Sequence, residues 1–255
     1  MDSHHFQPHP TGPNLAVSAQ SGSLNHPGIF WLGGFMSNMR GTKAEALAAW
    51  AAEQNRACVR FDYSGHGESL GEFNDGTIGQ WLAESLAVFN QYCRSPQVII
   101  GSSMGGWLAL LLIRALMQQS SPLVKHIKGL VLIAPAVDFT EKLIWEQLTP
   151  DIQTEFQATG SWSPPQEHGS HDYLFTYSLI EEGRQHLLLS QPIATPCPVR
   201  ILQGVLDTDV PWQHSTNLLH RLTEPDVVLT LVKDGDHSLS RPQDISQLIQ
   251  FIESF

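Results

Sequence analysis

The stretch Gln97-Val98-Ile99-Ile100-Gly101-Ser102-Ser103-Met104-Gly105-Gly106-Trp107 decides how this chain is read. Its first four residues, Gln97 followed by the apolar Val98-Ile99-Ile100, read as a buried strand. From Trp107 through Leu108-Ala109-Leu110-Leu111-Leu112-Ile113 the sequence predicts an apolar helix ending near Gln119. Between them, Gly101 to Gly105 has the G-x-S-x-G spacing of a nucleophile elbow, with Ser103 at its centre. Such a turn drives the central residue into a strained backbone conformation and holds its hydroxyl clear of the sheet edge. Glycine is expected at 101 and 105 because a Cβ at either position would strike neighbouring backbone. The spacing alone occurs by chance; the strand before it and the helix after it make Ser103 a candidate nucleophile.

Outward from the elbow the chain repeats one rhythm. Toward the N-terminus it predicts a helix over Thr77 to Tyr92 and a strand over Ala57 to Phe61. A helix over Lys43 to Gln54, capped by Thr42, and a short strand over Gly28 to Leu32 come before these. Asn14 to Gln20 alternates weakly and reads as an early antiparallel strand. Toward the C-terminus come a strand over Gly129 to Ala134 stopped by Pro135, then Pro198 to Leu202. A helix around His214 to Leu222, a strand over Asp226 to Val232 and a helix over Pro242 to Phe255 complete the series. Strands that are unbroken apolar runs, alternating with helices, predict an α/β fold: a mostly parallel central sheet with helices on both faces. From Asp138 to about Ser190 the rhythm breaks. That stretch holds Trp145, Phe156, Trp162, Tyr173, Phe175 and Tyr177 around a loop-like Gly160 to Pro165. It is too long for a connection and too apolar for a linker, so an inserted helical cap is expected, within a single domain spanning 1–255.

A chain of 255 residues, 42% hydrophobic, can bury one large core. Its formal charge of −11, with no basic run, argues against nucleic acid as a partner. Cys58, Cys93 and Cys197 are an odd, widely spaced set, which suggests free thiols in a reducing compartment. Met1 to Asn14 is rich in His and Pro. It lacks the apolar core of a signal peptide and the arginines of a transit peptide, and a disordered tail is expected there. No apolar run approaches the ~20 residues of a membrane span. A soluble cytoplasmic protein is the expectation.

A serine hydroxyl becomes a nucleophile when a neighbouring base takes its proton, and that base needs an orienting acid. In open α/β sheets such groups collect at the C-terminal ends of the strands. Of twelve histidines, His237 follows the last expected strand in a short loop, Lys233 to Ser238. His4, His5 and His9 belong to the tail, His214 and His220 to a helix, and His168 and His171 to the cap or its surface. His66 lies in a glycine turn that borders the cleft, but it precedes the serine. The order Ser, acid, His favours His237 as base. The loop Gly204 to Pro211 offers Asp207 and Asp209 as the acid, Asp209 being the natural turn or capping residue; Asp138, after the preceding strand, is a third candidate. The oxyanion of a tetrahedral intermediate needs two backbone donors. Met104, directly after the serine, is one. Phe35, in the loop that follows Gly33 and Gly34, is the other, with Met36 as the alternative. No cofactor or metal is implied, because His, Cys and carboxylate residues do not cluster at ligand spacing.

Three motifs carry a resemblance. Gly101 to Trp107 (GSSMGGW), Arg60 to Ser69 (RFDYSGHGES) and Gly204 to Trp212 (GVLDTDVPW) resemble the α/β-hydrolase-fold serine hydrolases. From Gly28 onward, including Phe35 to Ala44, Tyr177 to Glu182 and Pro196 to Arg200, the chain is similar to the branch holding mitochondrial palmitoyl-protein thioesterase and acyl-glucuronide esterase activity, with its bacterial relatives. The resemblance implies Ser103 as nucleophile, His237 as base and Asp207 as acid, since the family pattern GxxDxxVP puts the acid there. The chain departs from that pattern in lacking a mitochondrial targeting segment, in Gln203 where a His often stands, and in Gly33 where many relatives carry a His.

Together these features predict a serine hydrolase cleaving small carboxylic esters or acyl thioesters, an acylated protein among the candidate substrates, through an acyl-enzyme. A carbon–carbon bond hydrolase or acyltransferase with the same triad is the rival, and a binding protein of the same fold a more distant one. Met36, Trp107, Trp212, Trp145 and Trp162 are the expected substrate-binding residues, forming an apolar slot for an acyl chain. For each cap aromatic taken singly, holding the cap to the sheet is the simpler role.

Overall fold

The computed structural model describes residues 3–7, 14–164 and 174–255, the first of these by their backbone alone. The first strands are β1 (Ser3–Gln7), β2 (Leu15–Gln20) and β3 (Gly28–Leu32), followed by helix α1 (Thr42–Glu53). Next come β4 (Cys58–Phe61), α2 (Ile78–Tyr92), β5 (Gln97–Ser102), α3 (Met104–Gln118) and β6 (Ile127–Ile133). After β6 lie α4 (Pro150–Thr159), β7 (Ser161–Trp162), β8 (Phe175–Thr176) and α5 (Tyr177–Gly183). The chain closes with β9 (Val199–Gly204), α6 (Trp212–Arg221), β10 (Val227–Val232) and α7 (Pro242–Glu253).

Among the described residues, eight strands make one sheet in the order β1-β2-β4-β3-β5-β6-β9-β10. β2 runs antiparallel to both β1 and β4, and every pairing from β4 to β10 is parallel. The period of two along each strand feeds two separate cores. Ile29 and Trp31 of β3 pack with Ala44, Leu47 and Leu248 of α1 and α7, whereas Phe30 and Leu32 pack with the α2 and α3 side. Burial on both faces is why these strands read as unbroken apolar runs. Because the strands run parallel, the loops after β3, β5, β6, β9 and β10 gather at one edge, where the candidate site lies.

Local chemistry sets several element ends. Thr77 caps α2 by accepting the Gln80 amide at 3.2 Å, and Thr149 caps α4 ahead of Pro150. Gly41, not Thr42, is the N-cap of α1, with Thr42 as its first helical residue. A larger correction concerns the N-terminus. The tail expected to be disordered carries β1, which pairs with β2 from Ser3↔Ala19 to Gln7↔Leu15. Such pairing uses backbone N–H and C=O groups, about which a polar, His-rich composition says nothing. His9 lies outside the described residues.

The stretch after β6 is less purely helical than expected. It makes a π-helical turn at Thr140–Ile144 and a 3₁₀ turn at Trp145–Gln147 before α4; the two-stranded ribbon β7–β8 separates α4 from α5. Asp138 fastens its two ends together. One carboxylate oxygen accepts the Leu188 amide at 2.8 Å, and the other accepts Leu189 at 2.8 Å. Asp138 is therefore a structural clasp and not the orienting acid. Burial raises its pKa. Among the described residues, no helix is long and apolar enough to cross a membrane. All three cysteines are buried and free.

Candidate active site

Ser103 sits between β5 and α3 with φ 55° and ψ −120°, the strained conformation expected of an elbow. Its amide donates to the Ile133 carbonyl at 2.8 Å, and its own carbonyl accepts the Gly106 and Ala136 amides at 2.9 and 3.1 Å. The turn is thus braced by β6. A Cβ on Gly101 would stand 2.3 Å from the Gly105 carbonyl oxygen, and one on Gly105 would stand 2.1 Å from that of Leu32. Neither position admits another residue. Ser102 is buried, while Ser103 keeps part of its surface open.

The Ser103 hydroxyl donates to His237 Nε2 at 3.1 Å, and His237 Nδ1 donates to Asp207 Oδ2 at 2.8 Å. Of the candidate acids, Asp207 is the one bonded to His237. Its side chain is fully buried, and both oxygens are satisfied: Oδ1 accepts the Asp209 and Val210 amides at 3.0 and 2.8 Å, and Oδ2 accepts Gln203 Nε2 at 3.0 Å. The turn-residue role expected of Asp209 thus falls to Asp207 as well, and Asp209 is exposed. Gln203 was visible in sequence only as a departure from the family pattern. Its amide also reaches the Gly204 and Val210 carbonyls, and its Oε1 accepts the Ser215 hydroxyl at 2.6 Å. From β9 it supports the Asp207 carboxylate.

Sequence spacing suggests no metal cluster, yet ligand atoms of Asp207, Asp209 and His237 lie within 4.8 Å of one another. The four donors on Asp207 already use its lone pairs, so this group fits a carboxylate–imidazole pair better than a cation.

Met104 opens α3 directly after Ser103 and lines the same cavity. On the other side, Gly34 lies so close that a Cβ on it would stand 3.2 Å from that of Ser103. The Met36 amide, the alternative oxyanion donor, donates instead to His66 Nε2 at 3.3 Å, which leaves Phe35 and Met104 as the expected pair. Lys43, from the first turn of α1, reaches across to donate to the Ser238 carbonyl beside His237.

These groups open onto a cavity of about 820 Å³, within the size of small-molecule sites. Of the residues expected to bind substrate, Met36 and Trp162 line it. Trp107, Trp145 and Trp212 do not. Trp107 is wholly buried, bonds the His186 carbonyl at 3.3 Å and packs edge-on, at 5.8 Å, against Phe139, which lines the cavity. Helical rotation turns it from Ser103 into the core. Trp145 packs on Phe156 and Tyr177 with the Arg184 guanidinium 4.8 Å above it, a joint inside the insertion. Trp212 begins α6, half-buried and off the cavity; Val210, just before it, is the lining residue. The wall is built instead from Phe139, Leu143, Ile144, Leu148 and Phe175 beside Trp162. Phe35 stacks on Phe175 at 5.3 Å, and Phe175 on Trp162 at 6.2 Å, joining the loop after β3 to the β7–β8 ribbon. Of these wall residues only Phe175 and Trp162 stand out in sequence. Tyr173, His168 and His171 lie outside the described residues.

A mostly parallel sheet carrying a nucleophile elbow, with serine, acid and histidine in that chain order, defines the α/β-hydrolase class. The family described as Serine aminopeptidase, S33, matches residues 34–244; the chain belongs to that family and is a serine hydrolase. It is 36% identical over 242 residues to the Palmitoyl-protein thioesterase ABHD10, mitochondrial, of Mus musculus, covering 94% of this chain and 78% of that one. Among solved structures, a protein of Agrobacterium vitis S4 described as a hydrolase superposes with a TM-score of 0.92 at 41% identity, covering 100% of this chain and 98% of that one. The mouse alpha/beta hydrolase domain-containing protein 10 does so with a TM-score of 0.88 at 35% identity, covering 99% and 97%.

Proposed function

We propose that this protein hydrolyses carboxylic esters and acyl thioesters of medium-length or aromatic acyl groups through an acyl-enzyme on Ser103. The observation that carries the reading is the continuous Ser103–His237–Asp207 hydrogen-bonded chain on the floor of a cavity walled by aromatic and aliphatic side chains. Ser103 Oγ attacks the acyl carbon while His237 Nε2 takes its proton, and Asp207 holds the imidazole in the Nδ1–H tautomer. Met104 and Phe35 donate amides to the oxyanion. The intermediate collapses, the bond to the alcohol or thiol breaks, and the leaving group departs with the proton from His237. Water then attacks the acyl-enzyme by the same relay and releases the carboxylic acid.

Residues 138–190 act as a cap over this cleft within a single domain. Trp162, Phe175 and Leu148 suit an acyl chain, each buried methylene contributing up to ~0.8 kcal/mol. The rim carries Ser37, Lys43, Thr208, Asp236 and Ser238, which suits a polar leaving group in water. S-acyl proteins and acyl glucuronides are the substrates to try first; the name of the mouse relative supports the former. Three buried free thiols fit a reducing compartment, and the cytoplasm is proposed, to be checked by fractionating cells that express the chain.

The test is a hydrolysis panel crossing acyl length with leaving group (alcohol, thiol, glucuronide), run beside fluorophosphonate labelling. Labelling of the wild type but not of Ser103→Ala, and kcat/KM rising from acetyl to octanoyl, are expected. Labelling that survives Ser103→Ala sinks the assignment. Activity greatest on acetyl and falling with length sinks the acyl slot but not the nucleophile.

A further inference from the structure

One buried titratable side chain touches the cleft wall without belonging to the Ser103–His237–Asp207 chain. His66 lies in the turn after β4 and is 3% exposed. Its ring is enclosed by Tyr63, Phe73 and Trp81, with centroids 5.5, 5.0 and 5.1 Å away. Both nitrogens are committed. Nδ1 lies 3.1 Å from the Ser64 carbonyl oxygen, which can only accept, so Nδ1 carries the hydrogen. Nε2 lies 3.3 Å from the Met36 amide, which can only donate, so Nε2 is bare. The neutral imidazole is held in one tautomer, and burial lowers its pKa, which favours that form.

The donor of that bond is a strained residue. Met36 has φ 56°, in the left-handed region that side-chain-bearing residues seldom occupy. Its own side chain is 48% exposed and offers little packing to hold that conformation. Such strain persists only where neighbours over-determine the backbone. Holding the Met36 amide fixes the peptide plane directly after Phe35, and so limits the swing of the Phe35 N–H.

We infer that His66 is a positioning residue for hydrolysis: by accepting the Met36 N–H at Nε2, it holds the loop 34–36 so that the Phe35 amide faces the oxyanion. The role rests on Phe35 and Met104 being the oxyanion donors. A space-filler would need only a ring here; a positioning residue needs an acceptor at the ring tip.

Two variants of the full chain separate these. His66→Phe keeps a ring and removes the acceptor, whereas His66→Gln keeps an acceptor at similar reach. The readouts are kcat and KM on an octanoyl ester and the inhibition constant of an alkyl trifluoromethyl ketone, which forms a tetrahedral oxyanion adduct with the serine. His66→Phe is expected to lower kcat and weaken the ketone by about 10²-fold each, with KM within about threefold of wild type. His66→Gln should recover most of both losses. Equal losses in the two variants, or a folded His66→Phe protein with unchanged kcat and ketone affinity, overturn the role. Should His66→Phe not fold, nitrogen-15 spectra of the wild-type ring decide: Nδ1–H with bare Nε2 upholds it and an Nε2–H tautomer overturns it. Ser103→Ala keeps the two levels apart. If that variant is active, the acyl-enzyme and its oxyanion donors fall together; if it is inactive while His66→Phe is fully active, only His66 falls.

Discussion

The floor of the cavity and its aromatic wall meet at Ser103, but they are held in different ways. The floor is backbone against backbone: Ser103 bonds Ile133, Gly106 and Ala136, and the flanking glycines stand closer to carbonyl oxygens than any Cβ permits. The wall is side chain against side chain, with Phe35, Phe175 and Trp162 stacked in series and Phe139 braced by Trp107. A peptide carbonyl at 2.1 Å from a would-be Cβ cannot give way, so the floor has one solution. Rings can be exchanged for other apolar groups of similar volume at modest cost, so the wall has many. Substitutions on the floor are therefore expected to act on turnover, and those on the wall on selectivity.

The largest expected effect is on the floor. Ser103→Ala should lower kcat by about 10⁶-fold while circular dichroism stays native, and Ser102→Ala should retain most activity. Near-normal turnover in folded Ser103→Ala would take the chemistry away from the floor. Next comes the acid. Asp207→Asn should lower kcat by about 10⁴-fold, because His237 loses both its tautomer and the charge that stabilises its imidazolium. Asp209→Asn, at an exposed side chain, should stay within about threefold. The opposite ranking in initial-rate measurements would reassign the acid.

The wall should respond more gently. Trp162→Ala should leave acetyl-ester hydrolysis near wild type and cut the octanoyl-to-acetyl ratio of kcat/KM by about tenfold, as a wall of the slot is removed. Trp145→Ala, inside the insertion but off the cavity, should lower Tm by about 5 °C and leave that ratio alone. Equal changes in selectivity from the two would erase the distinction between lining and scaffold.

The smallest effect tests the contact that ties floor to floor. Burial lowers the Lys43 ammonium from its ordinary 10.5 to about 8, with Asp236 and Asp244 opposing the shift. Its proton supports donation to the Ser238 carbonyl next to His237. kcat/KM should therefore fall about two- to fivefold as pH rises through 8, and Lys43→Met should lose that step. Unfolding of this site would not mimic it. Between about 8 and 10.5 the unfolded lysine holds its proton and the folded one does not, so this group's contribution to stability rises with pH across the window. The same alkaline step in Lys43→Met would remove Lys43 from the explanation.

Sequence alone determined whatever depends on neighbours along the chain. The elbow lies within a few consecutive residues, and its glycines answer to contacts that any strand–turn–helix of that length must make. The doubly covered parallel sheet was legible because burial on two faces writes itself as apolar runs in β3, β5, β6 and β9. Residue order likewise picked out His237, although it lies 134 positions from Ser103 and 30 from Asp207. Tertiary structure decided whatever depends on how elements lie against one another. It set Asp207 both in its turn and against His237, brought Gln203 onto Asp207 and His66 onto the Met36 amide, and paired a polar N-terminal strand by backbone alone. Trp107, four positions after Ser103, was turned into the core, while Trp162, far along the chain, came to the cavity. Periodicity reports which side of an element is apolar. What that side faces is set only when the elements close on one another, because side-chain contacts between them depend on distances that spacing in the chain does not encode.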